Sequence, residues 1–382
     1  MTDLTITRGR LLDDVDEQLF TRGVQATISV RGEVILDLTA GDDGLGRPMA
    51  PDTLLRIYCT IKPVTAVAVG LLLDAGRLDL DAPIDDVLSG YDALAGGVSL
   101  RQVMTHTAGL QSPDGQTIEL TPPDRRRTML QHQKRPTGWQ LGRDAAYSEH
   151  FGWHVVGRLI EEVTGEDLHD HLRRAVLDPL GMTETRIGMT HEEYDDALSR
   201  IGVNHDMRSL RSFPMLFERT RRVCQETNAA HGGYSTARDL DRFYQAVLRG
   251  LAGEDVPGLP TTSVLATLAA DARPRVYDAV LLRECSYGLG FMTTLSDHHF
   301  GTEIGPRAFG HSGNIGSSYA FADPDLGLSA AIVFNGVVDP DSAFHRRRSL
   351  VRALYRDLEG PPIPEAVAPD EGRPRRRGFF RR

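Results

Sequence analysis

Lysine is almost absent from this chain: of its 43 basic residues only Lys62 and Lys134 are lysines, and the rest are arginine. Cysteine is scarce too, and Cys59, Cys224 and Cys285 are too scattered for a disulfide framework or a paired zinc motif. No apolar stretch is long enough to span a bilayer, so no membrane partner is expected. Basic charge is in deficit, and a net charge of −10 argues against a nucleic-acid partner. Met1 to Ile6 lack the basic flank and apolar run of a secretory signal, from which a cytoplasmic location is expected. His169/His171 and His298/His299 are close pairs without a ligand cluster at metal spacing. They read as solvated histidines, and neither metal nor cofactor is expected. With 382 residues, 40% hydrophobic and 25% charged, the chain has room for one composite domain or two.

One lysine stands in a telling place. Arg56-Ile57-Tyr58-Cys59-Thr60-Ile61-Lys62-Pro63 runs into an apolar segment, Val64 to Ala75, with Val67, Leu71 and Ala75 at helical spacing and Gly76 as a stop. Cys59 and Lys62, three apart at the helix start, share one face of its first turn. A thiol there gains from the free N–H groups and the positive end of the helix dipole. In a chain that otherwise uses arginine, a lysine beside a potential nucleophile suits chemistry, because lysine can give up its proton and arginine cannot. The plainer reading is a buried core cysteine beside a surface lysine.

Leu11 to Phe20 reads as an amphipathic helix, followed by a hairpin of Ala26–Val30 and Val34–Leu38. Leu100 to Met104 begins a short helix. Residues 111–140 read as loop and short helix, with Arg125–Arg127 solvated or forming a basic rim. Gly152 to Val163 carries one apolar stripe closed by Gly165, and Leu168 to Leu177 is another helix. Residues 186–230 look irregular, as a lid or substrate loop would. Ala237 to Leu248 is helical, and Tyr287–Thr294, Arg307–His311, Ser317–Ala322 and Leu328–Phe334 read as strands before a closing helix, Ser342–Leu358. Strands at both ends with helices between them predict an α+β (α/β sandwich) fold. Its antiparallel sheet domain would comprise residues 1–80 and 205–360, with an inserted all-helical region, 81–204, and a disordered tail, 361–382.

Two further stretches complete a pattern. Tyr147-Ser148-Glu149 precedes the Gly152–Val163 helix, and His311-Ser312-Gly313-Asn314 ends a strand. With Cys59-x-x-Lys62, their order resembles the serine β-lactamase and penicillin-binding-protein superfamily, in its class C, esterase and D-aminopeptidase-like branch. That superfamily carries Ser-x-x-Lys at a helix start, Tyr-x-Asn on a loop and Lys/His-x-Gly on an edge strand. The segments Leu72–Ile84, Met104–Leu110 and Gly232–Leu240 resemble its framing motifs, and the resemblance spans roughly residues 10–355. It implies the β-lactamase/transpeptidase-like fold, with Tyr147 near Cys59 as proton carrier. It further implies an oxyanion hole from the backbone N–H groups of Cys59 and Asn314, substrate contacts from Glu149, Ser312 and Gly313, and a His311 at the hole's edge that binds substrate or tunes the Tyr147 proton. His106, in the second framing motif, is expected to tie a loop down.

Two departures from the family pattern shape the chemistry: Cys59 stands where the family has Ser, and Glu149 replaces the Asn of Tyr-x-Asn. With ordinary values of about 8.5 for a thiol and about 10.4 for a lysine, a thiolate–ammonium pair is favoured by ~2.6 kcal/mol before burial acts on it. Thiolate leaves a tetrahedral intermediate more readily than an amine does, so amide substrates tend to revert and ester-like donors go forward. The thioester so formed is attacked readily by amines. The expected function is acyl transfer from a small-molecule ester-like donor to an acceptor, preferably an amine, as in secondary metabolism. A hydrolase (esterase or peptidase) and a non-catalytic binding or sensor protein are the alternatives. Glu149 could pair with Lys62, bind an acceptor ammonium, or simply be solvated.

Overall fold

In the computed structural model, which describes residues 4–17, 20–111, 121–209 and 211–358, both ends of the chain build one sheet. Helix α1 (Thr5–Asp16) precedes the antiparallel pair β1 (Gly23–Val30) and β2 (Glu33–Gly41), and helix α2 (Lys62–Asp74) follows. Helices α3 (Phe151–Thr164) and α4 (Ala237–Leu251) come next, then a hairpin of β3 (Arg273–Asp278) and β4 (Arg283–Tyr287). Strands β5 (Phe309–Ser312), β6 (Ser318–Asp323) and β7 (Leu328–Phe334) complete an antiparallel sheet in the order β5-β6-β7-β1-β2. Helix α5 (Pro340–Asp357), capped by Asp339, ends the described chain. Between α2 and residue 204 the described residues are mostly helical, with Leu100–Met104, Pro123–His132, α3, Leu168–Leu172 and His191–Ala197.

The period-2 pattern of the strands sets the layers. Tyr319, Phe321, Leu328, Ala330, Ile332 and Phe334 face a core shared with α1 and α5, while Ala320, Ala322, Ala331 and Val333 face the core of α2 and α4. With both faces covered, β6 and β7 read as nearly unbroken apolar runs. One carboxylate is buried between sheet and helix. Asp241 of α4 accepts bonds from Ser29 and Ser329, each at 2.6 Å, and burial pushes it up to about 6.

Several expectations change. The first helix is Thr5–Asp16 rather than Leu11–Phe20, because Thr7 bonds Asp357 of α5 through both its N–H and its hydroxyl (2.7 Å each) and so anchors an earlier start. Tyr287–Thr294 is not a strand: β4 stops at Tyr287, where Gly288 N–H bonds back to Phe291 O (2.9 Å) and Gly290 takes φ +87°. Residues 186–230 hold a helix, His191–Ala197, started by a capping box of Thr190 and Glu193, and a 3₁₀ turn, Leu216–Arg219, that buries Glu218. Arg126 is buried in an ion pair with Glu226, whereas Arg125 and Arg127 are exposed. The paired histidines are not solvated either: His298 is buried and donates to Ser286 O (2.8 Å), and buried His171 lies 3.1 Å from a Glu166 oxygen. Among the described residues no cluster suits a metal ion and no helix is long and apolar enough to cross a membrane. The tail 361–382 lies outside the described residues.

Candidate active site

The chain reaches Cys59 through a constrained turn. Leu55–Arg56 pairs with Gly233–Ser235, and Ile57 N–H bonds Gly233 O at 2.9 Å. Tyr58 then adopts φ +50°, a left-handed conformation that a bulky side chain takes only when its surroundings impose it. The imposition comes from below: the Tyr58 hydroxyl donates to the buried Glu218 carboxylate, which also accepts the backbone and side-chain N–H of Asn204 at 3.0 Å each. Residues Tyr58–Ile61 form a 3₁₀ turn leading into α2. Cys59 thus sits just before the helix proper, yet it shares a face with Lys62 because residues three apart eclipse in such a turn.

Cys59 is half-buried and reachable, whereas Lys62 is fully buried. The Lys62 ammonium donates to Ala230 O (2.7 Å) and Glu149 O (3.1 Å), and the Cys59 sulfur lies close enough to act on its charge. Two of its three N–H groups are spent on carbonyls, and the third is left for the sulfur. A neutral amine is equally satisfied, with two N–H groups on the carbonyls and its lone pair receiving the thiol proton. The proton can therefore pass between sulfur and nitrogen without any bond being lost. Burial lowers Lys62 below the ordinary lysine value, with the thiol's charge opposing. The sequence-based advantage of the ion pair is thus eroded from the lysine side.

Tyr147 completes the group. It lies near enough to Cys59 for the sulfur to act on its hydroxyl, Lys62 Nζ stands 5.3 Å from its ring centre, and burial raises it well above the ordinary phenol value. The backbone around it is pinned on three sides: Ala146 N–H to His106 O (3.1 Å), Tyr147 N–H to Asp278 (2.9 Å) and Ser148 N–H to His106 Nδ1 (3.0 Å). His106, at φ +61°, thus ties the loop, and its ring lies 4.6 Å from that of Tyr147. Asp278 is itself buried against Arg273 at 3.0 Å.

The end of β5 abuts the Cys59 turn. A Cβ on Gly313 would stand 2.3 Å from Ser318 Oγ and 2.5 Å from Ile57 O, so only glycine allows this approach. Ser318 Oγ locks the contact, bonding Ile57 O at 2.7 Å and Thr60 Oγ1 at 2.9 Å. Gly233 is likewise required, since a Cβ there would meet Ile61 at 2.8 Å. Ser312 and Asn314 are half-exposed. His311 differs from the expectation of a substrate contact. It is fully buried, its Nδ1–H donates to Ser312 O (2.9 Å) and its Nε2 accepts from Tyr287 OH (2.8 Å). A bond from His311 to substrate would break one of these two. Burial holds the ring well below the ordinary histidine value, hence neutral. Glu149 gives Lys62 its carbonyl, while its carboxylate is exposed and forms no ion pair among the described residues.

The structure therefore brings Cys59, Lys62 and Tyr147 into mutual contact, with Gly313 against the Cys59 turn. Sequence reasoning missed Asp278, Tyr287, Glu218 and the cluster of Arg56, His150, Asn228 and His231 behind Lys62. The pair Gly232-Gly233 is the sequence feature that matches the close approach of Ile61 and Asn228 there.

The chain is similar to several known proteins. The esterase/beta-lactamase LipL of Mycobacterium tuberculosis is 26% identical over 355 residues, covering 83% of this chain and 78% of that one. A penicillin-binding protein homologue from Caulobacter crescentus superimposes with a TM-score of 0.76 at 27% identity, over 94% of this chain and 98% of the other. A shorter match, 27% identical over 177 residues (40% of this chain, 41% of the other), is the ML-236A carboxylate methylbutanoyltransferase of Penicillium citrinum. The Beta-lactamase family model spans residues 10–354, so the strand order, the Cys59 turn and its lysine and tyrosine are the parts of a chain that belongs to the Beta-lactamase family.

Proposed function

We propose that this β-lactamase-family enzyme carries an acyl group on Cys59, taking it from a small-molecule ester-like donor and passing it to an acceptor, preferably an amine. One observation carries the reading: a reachable sulfur lies beside both a fully buried lysine and a buried tyrosine. In the first half, Lys62 takes the thiol proton as sulfur bonds to the donor carbonyl carbon. The oxygen gathers negative charge between the N–H groups of Cys59 and Asn314, and the donor's C–O bond then breaks. The alcohol leaves with a proton delivered from Lys62 through Tyr147. In the second half, the acceptor amine attacks the thioester and gives a proton to the Tyr147 oxygen as the phenol passes its own to the neutral Lys62; the C–S bond breaks, and the sulfur leaves as the thiolate partner of the Lys62 ammonium, which restores the thiol–lysine pair. Each oxyanion donor is worth roughly 2.7–4 kcal/mol.

Glu149 fits the amine preference, because its exposed carboxylate acts on both Lys62 and Tyr147 and has no cation of its own among the described residues. An acceptor ammonium bound there would lie beside the tyrosine that deprotonates it. Ser312 and Gly313 would line the acyl group, and His311 would act indirectly, through Tyr287. The name of the fungal methylbutanoyltransferase supports transfer, whereas that of LipL supports a second reading, hydrolysis with water as acceptor. Incubation with an activated ester should leave an acyl mass on the Cys59 peptide, and no adduct there would end the covalent reading. Partition of the adduct between water and added amines then separates hydrolase from transferase.

A further inference from the structure

We propose that His150 and His231 are positioning residues that act on Cys59 through Lys62, as a two-histidine clamp setting the carbonyls that hold the lysine. The inference rests on the pairing of Lys62 with Cys59 used above.

The carbonyls that accept from Lys62 come from distant loops, at Glu149 and at Ala230. The residue after each is a buried histidine, and the two rings meet, with His150 Nδ1 3.1 Å from His231 Nε2. The direction of this bond is fixed from behind. Arg56 can only donate, and its Nη2 lies 3.0 Å from His231 Nδ1. His231 therefore carries its proton on Nε2 and donates it to His150. Arg56 Nε also donates to His231 O (3.3 Å), and Arg56 lies three residues before Cys59 in the strand feeding the turn. Asn228 closes the arrangement. Its Oδ1 accepts Ala230 N–H (2.9 Å) and His231 N–H (3.2 Å), while its Nδ2 approaches His150 Nδ1 at 3.2 Å. One ring-to-ring bond thus sets the separation of the two lysine acceptors, and the arginine that orients it is covalently continuous with the nucleophile's turn.

Burial holds both rings well below the ordinary histidine value, so the clamp is neutral beside the lysine. The titratable and charged groups around it are His154, whose ring stacks on that of His150 at 6.1 Å, and Arg56, Arg126 and Lys62, while Glu149 acts on Lys62 from the other side. A misplacement of about 1 Å in such an acceptor is enough to cost on the order of 10²-fold in a positioned reaction.

The test is the pH profile of Cys59 alkylation by iodoacetamide, followed by mass spectrometry. It requires no acyl donor, and Cys224 and Cys285 are buried. Thermal melts check that each variant is folded. His150→Ala should raise the midpoint by about one pH unit, because the lysine that stabilises the thiolate loses a fixed acceptor. His150→Asn, whose Oδ1 can replace Nδ1 as acceptor, should restore most of the profile. Superimposable profiles for the wild type and His150→Ala would overturn the clamp, as would His150→Asn shifting as far as His150→Ala. Should His150→Ala not fold, His150→Asn and His150→Gln decide. Asparagine keeps the acceptor where it is needed and glutamine moves it, so equal profiles overturn the proposal. Absence of an ester adduct in the wild type would instead refute acyl transfer and leave this result standing.

Discussion

Gly313→Ala tests whether β5 and the Cys59 turn form one site. The added Cβ would lie 2.5 Å from Ile57 O, 2.3 Å from Ser318 Oγ and 3.3 Å from Thr60 Oγ1. Carbon–oxygen contacts relax at about 3.3 Å, so the backbone oxygen alone demands a separation of roughly 0.8 Å. Ser318 could rotate, but it would give up its bonds to Ile57 O and Thr60. Ile57 O cannot retreat without dragging the Tyr58–Ile61 turn and Cys59 with it. Overpacking of this kind costs about 1–3 kcal/mol of stability. The larger effect falls on chemistry, because the N–H groups of Cys59 and Asn314 would move apart by nearly the same distance. Loss of one oxyanion donor costs about 10²–10³-fold. Single-turnover acylation of Cys59 by an activated ester should fall by that factor, with denaturant melts confirming a folded variant. A folded Gly313→Ala protein that acylates within about threefold of the wild type would refute the oxyanion assignment.

Tyr147→Phe should slow acyl transfer by about 10²–10⁴-fold while leaving iodoacetamide labelling of Cys59 at high pH, since the proton carrier is lost and the sulfur is not. Labelling lost along with transfer would mean that the ring only shapes the pocket. Glu149→Gln should lower the fraction of acyl adduct captured by amines and leave its hydrolysis unchanged, as read by product analysis at fixed amine concentration. An unchanged partition would remove Glu149 from acceptor binding. Asp241 is raised from 3.8 to about 6 in the folded chain, so its ionisation opposes folding. Its contribution is most favourable below the unfolded value and declines as pH rises to about 6, a total of roughly 3 kcal/mol. The stability of Asp241→Asn relative to the wild type should therefore improve by about that amount between acid and neutral pH, measured by chemical denaturation. A difference independent of pH would contradict a raised Asp241.

Local patterns were legible wherever the determining interactions are local. Ser99 and Gln102 form the capping box that starts Leu100–Met104, Gly165 takes the left-handed cap after α3, and the Leu328–Phe334 run is β7 residue for residue. The Cys59, Lys62 and Tyr147 trio was singled out by the resemblance in motif order, whereas the contacts that hold Tyr147 in place come from His106 and Asp278 elsewhere in the chain. The burial of His311 was not legible for a physical reason: a histidine at a strand end looks alike whether it faces substrate or a tyrosine. Tyr287, which takes its Nε2, arrives from the neighbouring hairpin. Arg126 and His298 looked solvated for the same reason, their partners Glu226 and Ser286 O lying in other elements or turns.

The sequence alone settled which chemical groups are available: the thiol of Cys59, one of only two lysines three residues after it, a phenol, and glycines where backbones must touch. Those are properties of residue type and short-range spacing. Tertiary structure decided what state they are held in. Full burial of Lys62 between two loop carbonyls lowers its affinity for the proton, and burial is set by which distant segments close over a side chain.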